Sequence, residues 1–368
     1  MTLSACVTMK QFSEYDLVID ARSQREYAED HIPGAVNLPV VNNDEYAEVG
    51  TLHRTDKMQA YLIGVSYSLK NIARNLDTVI SGLPRGSRIL VYCFRGGKRS
   101  RLWFDALDTI GYRVERLDGG WKHYRQWVNE RLLTLPRTFS YIVLSGPTGC
   151  GKTRLLYQLA RAGAQVLDLE ALASHRGSVI GAIPGTPQPS QKFFDSLLQE
   201  KLSTFSPERP VWVEAESKKI GSVQLPMALL ETMHERATVI RLTAPMDQRV
   251  MLWREDYGHF EEDPVAFVAQ LATLRPLIGN QEFEAWQQLA ANREMPTLFE
   301  RVMSVHYDRA YERSTRRNYL RLDQAPVVDL PDLSAPTLQQ IAQSLIGRFE
   351  SVAIAAAFEA RLRQGRSF

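Results

Sequence analysis

Cys93 ends an apolar run, RILVYC (Arg88 to Cys93), and is followed at once by FRGGKRSR. Gly96 and Gly97 let the backbone curl so that successive amide N–H groups turn inward, and a helix beginning near Lys98 to Arg101 adds its positive N-terminal end. Arg95, Lys98, Arg99 and Arg101 surround that turn with positive charge. Such surroundings favour the nucleophilic thiolate, the form that takes up sulfur or selenium and holds it as a persulfide or perselenide. A structural cysteine, the commoner fate of a lone thiol on a strand, has no use for four basic residues and two glycines in the next eight positions. Cys93, Arg95, Gly96, Gly97 and Arg99 are therefore the expected catalytic loop.

A second constellation, GPTGCGKT (Gly146 to Thr153), matches G-x4-G-K-[ST] and lies between an apolar strand and a helix, the context that gives this motif meaning. Gly146, Gly149 and Gly151 let backbone N–H groups face phosphates, Lys152 neutralises their oxygens, and Thr153 can hold a magnesium ion. Cys150 fills a variable slot as an incidental small residue. Glu214 and Glu216 close the apolar run VWVEAE, where an acidic residue orients magnesium or its waters; an ordinary charged strand exit is the plain alternative. Arg249 and Arg254 follow TVIRLTAP and read either as a lid over phosphates or as solvated helix residues. The loop recognises a di- or triphosphate rather than a base, so ATP or GTP hydrolysis does not follow from it.

These groups need elements to hold them. LVIDA (Leu17 to Ala21), AVNLPV and RILVYC read as strands alternating with helical stretches, then RVERLDGGW and a helix through about Leu133. That alternation predicts a parallel sheet with helices on its faces. Leu135-Pro136 marks a linker. SYIVLSG, a helix over Thr153 to Ala162, VLDL, VWVEAE and TVIRLTA predict a second doubly wound sheet, and from about Asp247 the chain turns mostly helical. The expected domains are thus 1–136, 137–330 and a helical segment 331–368. At 368 residues the chain is long for one core, and its 44% hydrophobic and 23% charged composition is that of ordinary globular protein. The first residues lack the pattern of a secretory signal, no stretch reaches membrane-spanning length, and three cysteines without CxxC suggest neither disulfides nor zinc. A cytoplasmic protein without a membrane partner is the expectation. Net charge of +2 decides nothing alone, but basic residues are clustered.

Cys93 and Arg99, followed by Ser100, also satisfy the C-x5-R arrangement of tyrosine and dual-specificity phosphatases, and a seven-residue loop is wide enough for a tetrahedral phosphate. Around it, however, DARSQREYAEDHIPGAVNLP (Asp20 to Pro39) and LDGGWKHYRQW (Leu117 to Trp127) resemble the opening and closing motifs of the rhodanese family, and Tyr92 stands where most such phosphatases carry His. The fold class implied is α/β throughout: a rhodanese-like parallel-sheet domain, then a P-loop NTPase-like domain with a helical C-terminal part.

The order of CFRGGKRS, GPTGCGKT, LEALASHRGSVIGAIPGTPQPSQKFFDSLL (Leu169 to Leu198) and VEAESKKIGSVQLP (Val213 to Pro226) resembles the bacterial tRNA 2-selenouridine synthase family from about Tyr15 to Tyr311. The resemblance implies replacement of sulfur by selenium at C2 of wobble 2-thiouridine in tRNA, with selenophosphate as donor. It further implies an S-geranylated intermediate made from geranyl diphosphate, whose diphosphate the P-loop would grip, and a partner enzyme that supplies selenophosphate. His175, Arg176 and Ser178 match a family motif and read as a substrate loop, or plainly as a capped turn. HYDRAYERSTRRNYLR places Arg309, Arg313 and Arg316 or Arg317 at helical spacing, with Arg321 beyond, as a basic stripe for tRNA phosphates, interleaved with Tyr307, Tyr311 and Tyr319 to stack on bases, or plainly as a solvated charged helix face with core tyrosines. Two rival readings remain open on the residues alone: a rhodanese sulfurtransferase with a regulatory nucleotide-binding domain, and a phosphatase joined to a kinase-like domain.

Overall fold

The apolar runs become the strands of two separate all-parallel sheets. In the computed structural model, which describes residues 6–7, 12–319 and 322–364, the chain divides into a first unit, Met1–Arg131 with Pro189–Glu200, and a second, Leu132–Gln188 with Lys201–Phe368. Arg321 of the expected basic stripe lies outside the described residues.

The first sheet comprises β1 (Cys6–Val7), β2 (Leu17–Asp20), β3 (Val36–Asn37), β4 (Arg88–Tyr92) and β5 (Arg113–Leu117), in the order β1-β5-β4-β2-β3. β2 is buried along its whole length, and β4 from Ile89 onward, as expected of strands covered on both faces. Ile19, Val91, Trp103 and Leu107 form the core between the sheet and the helix Lys98–Ile110. Open parallel sheets bind ligands at the carboxyl ends of their strands, and the carboxyl end of β4 delivers Cys93.

The second sheet comprises β6 (Tyr141–Ser145), β7 (Gln165–Leu167), β8 (Val211–Glu214), then, after the small antiparallel hairpin β9 (Lys219–Ile220) and β10 (Val223–Gln224), β11 (Thr238–Thr243) and β12 (Val327–Asp329). Its order is β12-β11-β6-β8-β7. β6 is central and runs straight into the phosphate loop, which the helix Lys152–Arg161 continues. The helices from Met246 to Asn318 have a core of their own around Trp253, Phe267, Trp286 and Phe299.

Three features depart from the sequence reading. β12 pairs parallel to β11, although three residues between Pro326 and Pro331 carry too little pattern to announce a strand. Leu135 and Pro136, read as a linker, form a buried 3-10 turn, with the Tyr141 hydroxyl donating to the Pro136 carbonyl at 3.0 Å. Residues 189–200, expected inside the P-loop domain, pack with the first unit.

Candidate functional site

In the first unit Cys93 is only 3% exposed, and its Sγ lies 3.3 Å from Ser100 Oγ, which donates in turn to the Gly97 carbonyl. The loop after Cys93 is laced to the Asp118–Trp121 turn: Trp121 N–H donates to the Cys93 carbonyl at 2.8 Å and Lys122 N–H to the Phe94 carbonyl at 2.9 Å. Gly120 has φ +58°, and a Cβ there would sit 2.2 Å from the Cys93 carbonyl oxygen and 2.5 Å from Gly96 N. The close approach explains why the motif reads DGGW. Gly96 itself has φ +66°, a conformation that glycine adopts without strain.

The four basic residues around Cys93 are not equivalent. Arg99 makes a two-pronged pair with Glu26, Nη1 to Oε2 at 2.6 Å and Nη2 to Oε1 at 3.1 Å. Glu26 is anchored in turn by the backbone N–H and hydroxyl of Ser23, and although burial alone would raise its carboxyl, the hydrogen bonds and charge of Arg99 hold it below its ordinary value. Arg99 in this geometry positions the loop rather than pointing free at a donor. Arg101 pairs with Asp105, Lys98 Nζ lies 3.8 Å from the centre of the Tyr61 ring, and Arg95 lies over Phe94. The DAR motif is structural: Asp20 and Arg22 form a fully buried bidentate pair, and Arg22 also donates to the Asp30 carbonyl at 2.6 Å.

The same unit is closed by the first turns of the helix Gln191–Ser203. Asp30 accepts from Trp121 Nε1 and from Ser196 Oγ, each at 2.8 Å. Arg125 pairs with Asp195 and donates to the Lys192 carbonyl, and His31 stacks between Tyr27 and Phe193. Burial pushes the Asp30 carboxyl up, against those two hydrogen bonds.

In the second unit the phosphate loop borders a cavity of about 800 Å³. Gly149 and Gly151 are left-handed, φ +76° and +84°, with Trp253 and Leu333 packed where side chains would be. Lys152 Nζ rests on the Gly146 and Pro147 carbonyls at 2.9 and 3.3 Å, and Gly146 N–H donates to the Tyr311 hydroxyl at 3.0 Å. Arg249 is neither a lid nor a solvated residue: it is buried, donates to the Thr148 carbonyl at 2.9 Å and pairs with Asp308 at 2.6 Å, bracing the loop from behind. Arg254 pairs with Glu261.

Of the candidate residues, Gly149, Gly151, Lys152, Thr153, His175, Arg176, Ser178, Glu214 and Glu216 all line this one cavity. Asp168 and Glu170 join them. Burial first, then the Glu214 charge, pushes Glu216 up to about 8; burial also raises Glu214, and raises Glu170 well above the carboxylate range. Thr153 is within hydrogen-bonding reach of Glu214, whose Oε1 is buried without a partner. That orphaned oxygen beside a hydroxyl suits a cation. Among the described residues no three His, Cys, Asp or Glu side chains form a ready metal cluster, so magnesium held by Thr153 and Glu214 would complete its shell with ligand phosphates and water.

The arginines of the helix Asp308–Asn318 lie elsewhere. Arg309 and Arg313 flank a neighbouring groove of about 410 Å³ floored by Leu277, Ile278 and Val305, Arg316 pairs with Glu312 at 3.0 Å, and Arg317 is exposed. The opposite face of that helix brings Tyr311 to the cavity, and Tyr307, in the turn just before it, lines it too. The sequence reads both tyrosines either as stacking partners for RNA bases or as core; the structure sets them beside the phosphate-loop cavity.

Comparison with known proteins places these parts in a known order. The model of the rhodanese-like domain matches residues 7–126, and that of the tRNA 2-selenouridine synthase AAA domain matches residues 139–270. A tRNA 2-selenouridine synthase of Hydrogenovibrio crunogenus is 30% identical over 335 residues, 83% of this chain and 91% of the relative. Relatives of the same name from Nitrosomonas europaea and Nitrosomonas eutropha are 35% and 34% identical over 65% and 63% of the chain. The aligned part spans 63% and 61% of the length of those two relatives.

Proposed function

The chain belongs to the tRNA 2-selenouridine synthase family, and from that membership we propose that it replaces sulfur by selenium in wobble 2-thiouridine of tRNA, with selenophosphate as the selenium donor. The observation that carries the reading is the presence, in one chain, of a cysteine loop built as in rhodaneses and a phosphate-loop cavity far larger than a diphosphate requires. Cys93 serves the selenium step, in which selenium given up by selenophosphate adds at C2 of the geranylated base and geranylthiol leaves, within a loop shaped by Arg95, Gly96, Gly97 and the Arg99–Glu26 pair. The P-loop grips the diphosphate of geranyl diphosphate: as the thiouridine sulfur bonds to the allylic carbon, the carbon–oxygen bond breaks and diphosphate departs onto Lys152 and the loop amides. Magnesium at Thr153 and Glu214 would add charge stabilisation there. Arg309, Arg313, Arg316 and Arg317 offer the tRNA a basic face. A cytoplasmic setting, with a selenophosphate-producing enzyme as partner, follows from the same reading. Among the described residues no helix is long and apolar enough to cross a membrane. The phosphatase alternative loses ground because Arg99, the phosphate ligand it needs, is engaged by Glu26.

The test is mass spectrometry of nucleosides from 2-thiouridine-containing tRNA incubated with the protein, geranyl diphosphate and selenophosphate. Cys93→Ala should accumulate geranylthiouridine without selenouridine, and Lys152→Ala should leave thiouridine unmodified. Wild-type protein that leaves thiouridine untouched while consuming thiosulfate or an aryl phosphate would overturn the reading.

A further inference from the structure

The HRGS segment has so far no task. It is wound tightly: Arg176 N–H donates to the Gly181 carbonyl and Gly181 N–H to the Ser178 carbonyl, at 2.8 and 3.0 Å. A Cβ on Gly181 would lie 2.9 Å from both His175 Cε1 and Ser178 N. Arg176 is fixed as well, donating to the Asp256 carbonyl with its guanidinium 5.0 Å from the Tyr257 ring centre. Such a braced loop would be expected to satisfy its polar atoms.

It does not. His175 Nδ1, Ser178 Oγ and the Tyr307 hydroxyl are buried without a hydrogen-bond partner, and all three residues line the phosphate-loop cavity. His175 and Tyr307 are only 7% and 8% exposed. The hydroxyls of Tyr257 and Tyr307 lie near Ser178, yet neither Ser178 Oγ nor the Tyr307 hydroxyl has a well-formed bond. Each such group costs stability until something pairs with it. Burial keeps the His175 imidazole below its ordinary range and hence neutral, with one nitrogen able to donate and the other to accept. Tyr307 is delivered by a π-helical turn, Met303–Tyr307, a local irregularity common at functional sites. His306, its neighbour in that turn, lines both this cavity and the groove flanked by Arg309 and Arg313.

We propose that the His175, Ser178 and Tyr307 end of the cavity seats a pyrimidine base of the RNA substrate, its polar edge paired by those three groups and its faces against the surrounding aromatic rings. The strand enters past His306, with its phosphates on Arg309 and Arg313. Hydroxyls that both donate and accept suit an edge that alternates carbonyl or thiocarbonyl with N–H, and tyrosine rings suit its planar faces. A diphosphate needs neither. The inference rests on the tRNA reading above and adds which residues hold the target base.

The experiment compares two anticodon stem-loop RNAs, one with 2-thiouridine at the wobble position and one abasic there, by fluorescence anisotropy on the full chain with inorganic diphosphate present. Wild type should prefer the thiouridine RNA by roughly 10- to 100-fold, the range that a stacked base supplies. In Tyr307→Phe/Ser178→Ala, which keeps the rings but removes two hydrogen bonds to the base edge, that preference should fall about tenfold, with binding of the abasic RNA unchanged; Arg309→Ala should weaken both RNAs alike. Because the double variant removes unpartnered hydroxyls, its Tm should not fall, which separates a lost seat from a damaged fold. An unchanged preference in the double variant overturns the seat, as does competition of the thiouridine RNA by ATP alone. Wild type that binds neither RNA better than a DNA hairpin would instead count against the tRNA reading itself.

Discussion

Gly120 sets the position of Cys93 without touching chemistry. Its φ of +58° and the 2.2 Å separation that a Cβ would have from the Cys93 carbonyl oxygen leave no room for a side chain. Gly120→Ala should therefore cost roughly 2–4 kcal/mol in the first unit and abolish selenium transfer, while geranylation at the second unit persists; denaturant unfolding and nucleoside analysis read the two effects. Glu216 gives a pH prediction. A carboxyl whose folded value is raised to about 8 stabilises the fold in its protonated form, present in full below the unfolded value and lost as pH rises through the folded one. Glu216→Gln should raise Tm more at about pH 9 than at about pH 5, and equal gains at both would count against the assignment. At this scale the sequence was most informative where residue type and spacing are themselves the chemistry: Cys93, Lys152 and Thr153 were singled out as candidates by motif alone. It assigned Glu26 no role, left Arg249 between lid and solvated residue and Tyr311 between base stacking and core, because their partners Arg99, Thr148 and Gly146 lie 73, 101 and 165 positions away.

Elements whose pattern is local were legible, and those defined by their neighbours were not. β2, β4, β6 and β8 are continuous apolar runs and were placed within a residue or two. β12 is a strand only because β11 lies beside it, and the π-helical turn at Met303–Tyr307 interrupts a helical pattern without interrupting its hydrophobic spacing. The helix Gln191–Ser203 entered the sequence reading only as the end of a longer motif, and nothing in it says that Ser196 faces Asp30. Ser196→Ala removes a buried hydrogen bond to a carboxyl already raised by burial. It should destabilise the first unit by about 1.5 kcal/mol, measurable as a lower urea midpoint of the Trp121 fluorescence transition, with no change in the affinity of the second unit for diphosphate.

On the scale of the whole molecule, the α/β class and the succession of a cysteine-loop sheet and a phosphate-loop sheet were both visible, because each sheet announces itself by repeated strand and helix. The chain's division into units was less visible, since it depends on which surface a helix covers. The first unit is interrupted: 57 residues of the second, Leu132–Gln188, are inserted before Pro189–Glu200 completes it. During synthesis, domains usually fold as they emerge from the ribosome, the N-terminal one first. Here the cysteine-loop unit is born without its last helix, with Asp30 lacking the Ser196 hydroxyl and His31 lacking the Phe193 ring. Its final structure waits until residue 200 has cleared the exit tunnel, so the nascent thiol is not fully housed before the phosphate loop has been translated.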